Sequence, residues 1–161
     1  MRRKKVVVAR MAQPAAIALL RQATALWPKR EKASDGLLPS QAHIAQSPNS
    51  DHNSGYAVDL THDPIGGPDC AKIFKELRKD KRVKYLIFRG VIWSPERGSR
   101  TYTGANPHMK HLHVSIKPGH GKDTSDWFPW VGQNKKWLHL KSKFVRVKVI
   151  KDNPSSPKED S

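Results

Sequence analysis

Apolar residues recur along this chain with two different periods, and the change from one to the other marks out its elements. Between Gln13 and Leu26 the spacing is helical: Ile17, Leu20, Ala23 and Leu26 form a stripe, and Pro14 stands in the first turn, where its missing N–H leaves no bond unmade. From Asp69 to about Lys79 the segment CAKIFKELRK sets Ile73, Phe74 and Leu77 on one helical face behind an aspartate suited to an N-cap, which predicts a second helix. Elsewhere the period is two. Gly55–Leu60 (GYAVDL), Val83–Phe88 (VKYLIF) and Val91–Trp93 (VIW) read as strands. The segment His108–Ile116 (HMKHLHVSI) alternates from His111 onward, placing His111 and His113 on one face and Leu112 and Val114 on the other. Val6–Val8 and KFVRVKVI near the carboxyl end also suit strands.

The intervening stretches are polar. Residues 28–53 read as a long loop, of the kind that is functional or disordered when it occurs inside a compact domain. Thr61–Pro68 (THDPIGGP) is a turn, Ser94–Pro107 a polar loop, and NPSSPKEDS a disordered tail. No repeat is present. These elements predict a basic arm over 1–12, one domain over 13–150 and a tail over 151–161. The expected class is α+β: a small antiparallel sheet with helices on one side and a metal cleft on the sheet.

Composition narrows the function classes. The 161 residues carry a net charge of +16, a field that attracts nucleic acid, anionic lipid surfaces or the phosphate-bearing polymers of a bacterial envelope. Charge alone does not choose among them. Mean hydropathy is −0.70, and no apolar run approaches the ~20 residues of a membrane-spanning helix. The one cysteine, Cys70, excludes an internal disulfide and a cysteine-based zinc site, so any metal must be held by nitrogen and oxygen. MRRKK followed by VVVARMAQPAAIALL has the outline of a signal peptide, but Arg10, Gln13 and Pro14 interrupt the apolar stretch. The expectation is no cleaved signal.

The candidate chemistry lies in the histidines. Three of the eight, His108, His111 and His113, fall within six residues, while His52 follows Asp51 and precedes Asp59 by a short step. A catalytic zinc takes three protein ligands and keeps a position open. On a strand, His111 and His113 both face one site, so that one binds metal and the other handles protons. His52 and Asp59 can complete a two-histidine, one-carboxylate set. Each residue also has a plainer reading: a histidine pair on a strand often faces solvent, and a loop histidine usually does. Asp59 is harder to dismiss, because a carboxylate in the buried-looking AVDL stretch is costly unless paired or metal-bound.

Ser50-Asp51-His52-Asn53-Ser54-Gly55-Tyr56-Ala57-Val58-Asp59 matches the SxHxxGxAxD motif of the D-Ala-D-Ala carboxypeptidase and L-Ala-D-Glu endopeptidase families, and His108–His113 is similar to their second motif. KASDG, DLTHDP and YTGANPHMKHLHVSI resemble small members of this group common in phages of actinobacteria, so that the likeness covers roughly residues 24–117. The resemblance implies a hedgehog-like zinc peptidase fold, with His52, Asp59 and His113 as Zn2+ ligands. Many relatives carry a glutamate three positions before the last ligand. Here that position is Lys110, and the branch with two further histidines makes His111 the general base with His108 in support. Arg89 is a candidate to help stabilise the oxyanion, and Arg97, Tyr102 and Asn106 are candidates to bind substrate. Ser50 and Gly55 read as structural, and Asp51 as either an orienting group or a solvated one.

The implied activity is hydrolysis of peptide bonds in bacterial peptidoglycan by a monomer. It would act from the host cytoplasm after release to the wall, or from the virion. Anionic wall polymers are further candidate partners for KKWLHLKSKFVRVKVIK, and nucleic acid is disfavoured. Two rivals remain. One is a zinc-binding relative without catalysis, which Lys110 favours. The other is a metal-dependent nuclease, which lacks the downstream ββα pattern it would need. Trp127, Phe128, Trp130 and Trp137 read as core more readily than as a sugar-stacking surface. His43, His62, His120 and His139 read as surface residues, with His62 nearest the site.

Overall fold

A computed structural model describes residues 11–131. The arm through residue 10, and everything from residue 132 on, lie outside the described residues. That includes the expected strands at Val6–Val8 and KFVRVKVI, the tail, Trp137 and His139. Contacts divide the chain after Trp127, into one compact unit of Met1–Trp127 and a second of Phe128–Ser161. In the described part of the second unit, the Phe128 and Trp130 rings meet edge-on at 5.7 Å.

The described part of the first unit is α+β, with three helices and one five-stranded antiparallel sheet. In chain order the elements are α1 (Pro14–Leu26), α2 (Gln41–Gln46), β1 (Ala57–Thr61), α3 (Cys70–Leu77), β2 (Val83–Phe88), β3 (Val91–Ser94), β4 (Gly98–Thr101) and β5 (His111–Ile116). The sheet order is β1-β5-β2-β3-β4, so the last of the described strands is inserted between the first two. This insertion brings the two sequence motifs together: Asp59 on β1 lies directly opposite His113 on β5.

Alternation gives the sheet two unlike faces. Val58, Leu60, Leu86, Leu112 and Val114 are fully buried on one face, where α1 and α3 pack with Ala15, Ala16, Leu19, Ala23, Cys70, Ile73 and Leu77. The other face carries Asp59, His111 and His113. Asp69 caps α3 as expected, accepting from the Ala71 and Lys72 amides. The buried stripe of α1 differs from the expected one. Ala15, Ala16, Leu19 and Ala23 pack inward, while Ile17, Leu20 and Leu26 are only half-buried. Small side chains let the helix approach closely, and hydropathy underweights them.

Two stretches read as loops hold regular structure. Within 28–53, Ser40 accepts from the His43 amide and caps α2. Within 94–107, the polar GSRT pairs with β3 as the edge strand β4. Between β2 and β3 the two-residue loop Arg89-Gly90 has positive φ at both positions (46° and 74°), as a tight hairpin requires. Near the end of the unit, Arg82 is 2% exposed. It pairs with Asp80, donates to the Asp123, Ser125 and Asp126 carbonyls, and stacks on Trp127 at 3.5 Å. Among the described residues no helix is long and apolar enough to cross a membrane.

Candidate metal centre

Three groups of residues build a cleft on the sheet's polar face. Asp59, Tyr85, Ile87, His111 and His113 come from the strands. His43, Gln46, Ser50 and His52 come from α2 and the loop after it, and Tyr102, Asn106 and His108 from the loop after β4.

At its centre is the Asp59 carboxylate. One oxygen lies 3.0 Å from His113 Nδ1, the other 3.2 Å from His52 Nε2 and 3.7 Å from His111 Nε2. Burial works to raise the Asp59 pKa, but hydrogen bonds from His113 and His52 outweigh it and hold the carboxyl well below the usual carboxylate range. Burial likewise opposes charge on His52, yet Asp59 and the Leu37 carbonyl raise its pKa. His111 is lowered by burial, and His108 is pushed down to about 4 by burial and then by His113 and His111.

The donor set fits a metal ion. One ligand atom from each of His52, Asp59 and His113 lies within 4.8 Å of the others, and Asp59, His108 and His111 form a second such group. His52 Nε2 and His113 Nδ1 stand 3.2 and 3.0 Å from the two different Asp59 oxygens, so the two imidazoles flank the carboxylate. His52 Nδ1 lies 2.7 Å from the Leu37 carbonyl, which fixes the tautomer and leaves Nε2 free to ligate. His108 Nδ1, His111 Nε2 and His113 Nε2 are buried with no hydrogen-bond partner among the described residues. Folded proteins leave such atoms unpaired where an ion or water completes them. Finally, a Cβ on Gly36 would stand 3.1 Å from the Asp59 carboxylate, so glycine leaves it room.

The loop before the motif is fastened to β1. Gly36 exchanges backbone hydrogen bonds with Asp59. Asp35 accepts from the Thr61 amide and hydroxyl and forms a two-pronged pair with the buried Arg30. Ser50 accepts from the His52 amide and lies 3.2 Å from His43 Nε2. Gly55, at φ +78°, passes so near Met11 and Ala12 that a Cβ would meet backbone at 2.9 Å. Asp51 is half-buried and holds no histidine: it accepts from Ser115 and pairs with Lys84 at 2.9 Å.

The expected residues divide between the cleft and elsewhere. His52, Asp59, His108, His111, His113, Tyr102 and Asn106 meet in it. Tyr102 reaches the His108 ring at 5.6 Å, and Asn106 Oδ1 accepts from the His108 amide at 3.0 Å. Arg89 and Arg97 do not reach it. The hairpin turn carries Arg89 to a separate hollow with Phe74, Arg78 and Phe88, and Arg97 is exposed in the β3–β4 turn. Lys110 is exposed as well. His62 also stays away, accepting from the Cys70 amide beside Phe88. His43 is the histidine that approaches instead, 5.7 Å from the His52 ring. Sequence reasoning also missed Tyr85, whose ring stacks on His113 at 5.5 Å. The only available signal was its alternation two residues before Ile87 on a predicted strand. Compared with protein-family models, with curated proteins and with solved structures, the chain matches none.

Proposed function

We propose that this protein is a zinc-dependent peptidase that hydrolyses peptide bonds of bacterial peptidoglycan, with a fold of the hedgehog and D-Ala-D-Ala peptidase type. The observation that carries the reading is the convergence of His52 and His113 on the Asp59 carboxylate in a cleft, with His111 beside them. These residues are the ones the motif resemblance selects.

His52, Asp59 and His113 would hold the ion. Zinc, when bound, supplies Lewis acidity toward water and toward the scissile carbonyl. The remaining work falls to the chain. Burial lowers the pKa of His111, so its Nε2 is neutral near pH 7 and ready to accept a proton. Water adds its oxygen to the carbonyl carbon, the C–N bond breaks, and the proton taken by His111 passes to the leaving amine. His108, with its ring 4.9 Å from that of His111, supports it. The backbone of His108 is held by Asn106 and by the Arg89 amide, which fixes that contact. Tyr102 and Asn106 line the route a peptide would take. The wall location, reached by release from the host cytoplasm or from a virion, belongs to the same proposal.

The test is mass spectrometry of purified peptidoglycan incubated with the protein, with added zinc and with a chelator. New peptide termini that vanish with chelator, and with His52→Ala, are expected. An unchanged digest by protein shown to contain zinc would overturn the peptidase reading in favour of a binding relative, the reading that Lys110 supports.

A further inference from the structure

Among the described residues, two groups of possible metal ligands share one member, Asp59. The first, with His52 and His113, holds the zinc of the reading above. The second joins Asp59 to His108 and His111, one ligand atom of each lying within 4.8 Å of the other two. On β5, His113 is thus grouped with a histidine from the loop ahead of β1, and His111 with one from the loop ahead of β5. His111 Nε2 lies 3.7 Å from the same Asp59 oxygen that His52 approaches at 3.2 Å. Two imidazoles and one carboxylate are a sufficient set for zinc, and a carboxylate has two oxygens to divide between ions.

Three observations set the second group apart from a structural pair of histidines. His108 Nδ1 and His111 Nε2 are covered, yet neither has a hydrogen-bond partner among the described residues. Asp59, His108 and His111 all line the cleft, so an ion that enters it reaches them. Zinc needs only ~2.0–2.1 Å to each nitrogen where a water needs about 2.9 Å, so a place that excludes water still admits the metal. Finally, His108 has φ +56°, a conformation that side chains other than asparagine and aspartate seldom adopt. Asn106 Oδ1 and the Arg89 amide hold its backbone there, which keeps its ring 4.9 Å from that of His111.

We propose that Asp59, His108 and His111 form a second, weaker zinc site, which silences the enzyme when zinc is in excess. The silencing rests on the reading of His111 as the base. A neutral imidazole nitrogen has one lone pair, and once Nε2 donates it to a metal it cannot accept a proton from water. Two ions bound through one carboxylate stand about 3.5–4 Å apart. Their charges repel at that distance, so the second ion should bind about a hundredfold more weakly than the first, or weaker still. The protein works with one zinc, and the second is a reversible brake.

The experiment is equilibrium dialysis of the full-length, metal-stripped protein against buffered zinc. Bound zinc is read by elemental analysis and peptidoglycan turnover by mass spectrometry on the same samples. Wild type should take up one zinc, then a second at about hundredfold higher free zinc or beyond, and turnover should fall about tenfold or more as the second enters. His108→Asn tolerates the positive φ but offers a poor ligand. It should keep the first ion and lose the second, and its turnover, whatever the rate, should no longer fall with zinc. His111→Ala should lose the second ion likewise, and it decides the matter if the asparagine variant does not fold. Cobalt(II) in place of zinc locates the second ion. Ions bridged by Asp59 couple magnetically, so the paramagnetic resonance of the first should weaken as the second binds, which an ion elsewhere on the chain would not cause. The proposal is overturned if wild type stops at one ion, if the variants keep a coupled second ion, or if turnover rises as the second enters. One zinc with peptidoglycan cut would sink the second site and leave the peptidase reading standing. Two coupled ions on a protein that cuts nothing at any zinc level would support the site and sink catalysis.

Discussion

Replacing Asp35 by alanine removes four hydrogen bonds at once: two from Arg30 and two from Thr61. The Arg30 side chain is 1% exposed and Asp35 is 16% exposed, so the mutation strands a desolvated guanidinium with Thr24 and the Glu31 carbonyl as its remaining partners among the described residues. Breaking a buried pair from one side costs about 3–5 kcal/mol. The partial exposure of Asp35 lets water into its place, which puts the expected loss at the low end, about 3 kcal/mol. With a urea dependence of about 1–3 kcal/mol per molar, the unfolding midpoint of the chelated protein should fall by about 1–3 M. Tryptophan fluorescence can follow this, since the chain has five. Glu76→Ala is the control. Its ion pair with Lys79 is also short, 2.9 Å, but solvated, so its loss should stay within about 1 kcal/mol. The double variant Arg30→Met with Asp35→Leu should recover most of the loss, because it leaves no charge stranded.

The same mutation has a second expected effect, on metal binding. Asp35 precedes Gly36, which is bonded to the Asp59 backbone, and stands two residues before Leu37, whose carbonyl orients His52. Slackening this loop should weaken zinc binding about 10- to 100-fold, the usual cost of losing an outer partner of a ligand. Competition with a chromogenic chelator measures it. The reasoning is refuted if Asp35→Ala moves the midpoint no further than Glu76→Ala. It is equally refuted if the protein is destabilised while its zinc affinity stays at the wild-type value.

Gly36→Ala should act on the metal alone: its Cβ would press on Asp59 at 3.1 Å without backbone strain, so stability holds while zinc affinity drops about tenfold, read by the same competition. His111→Ala should keep one zinc per chain by elemental analysis while turnover of peptidoglycan peptides falls about 10²- to 10⁴-fold; undiminished turnover would remove His111 as the base. Burial pushes the Cys70 thiol from its ordinary 9.0 up to about 12, so iodoacetamide at pH 8 should label it only after denaturation. The sign for stability follows. Below pH 9 both states keep the proton, whereas between 9 and 12 only the unfolded thiol releases it, so stability falls as pH rises, by at most about 1.4 kcal/mol per pH unit. Urea midpoints at pH 8 and 10 should therefore fall less in Cys70→Ala than in wild type, and equal falls would refute the assignment.

How far the sequence revealed this fold depended on whether an element is held by its own pattern or by its neighbours. β2, β3 and α3 carry their own signals, β-branched runs and an aspartate cap, and they stand where expected. β4 is polar and exists because Ile92 pairs with Arg100 and Trp93 with Ser99, which no local pattern announces. α2 has no buried residue and is defined by its serine cap, so hydrophobic periodicity could not find it. In the site, His52, Asp59, His111 and His113 were legible because residue type and motif spacing coincide. Arg89 was misplaced because a two-residue turn with positive φ at both positions redirects its side chain, and sequence gave no sign of that turn's handedness. His43 was missed because only the folded loop sets it against His52 and Ser50.

A cluster this polar can sit on so small a sheet because β5 serves both faces through one alternation. Leu112 and Val114 are fully buried in the core, while His111 and His113 face the cleft. Position on β5 is thus secured by apolar packing, but His52 belongs to no strand and has no such support. Its placement comes from polar ties to three separate parts of the fold. Gly36 and Asp35 pin the preceding loop to β1, the Leu37 carbonyl holds the ring, and Asp51 clasps Ser115 and Lys84 on β5 and β2. Asp51 adjoins His52 in sequence, yet it orients the loop rather than the ring. The long polar stretch ahead of the motif is therefore the scaffold for one histidine, built from hydrogen bonds because that side chain reaches the sheet's polar face from outside the core.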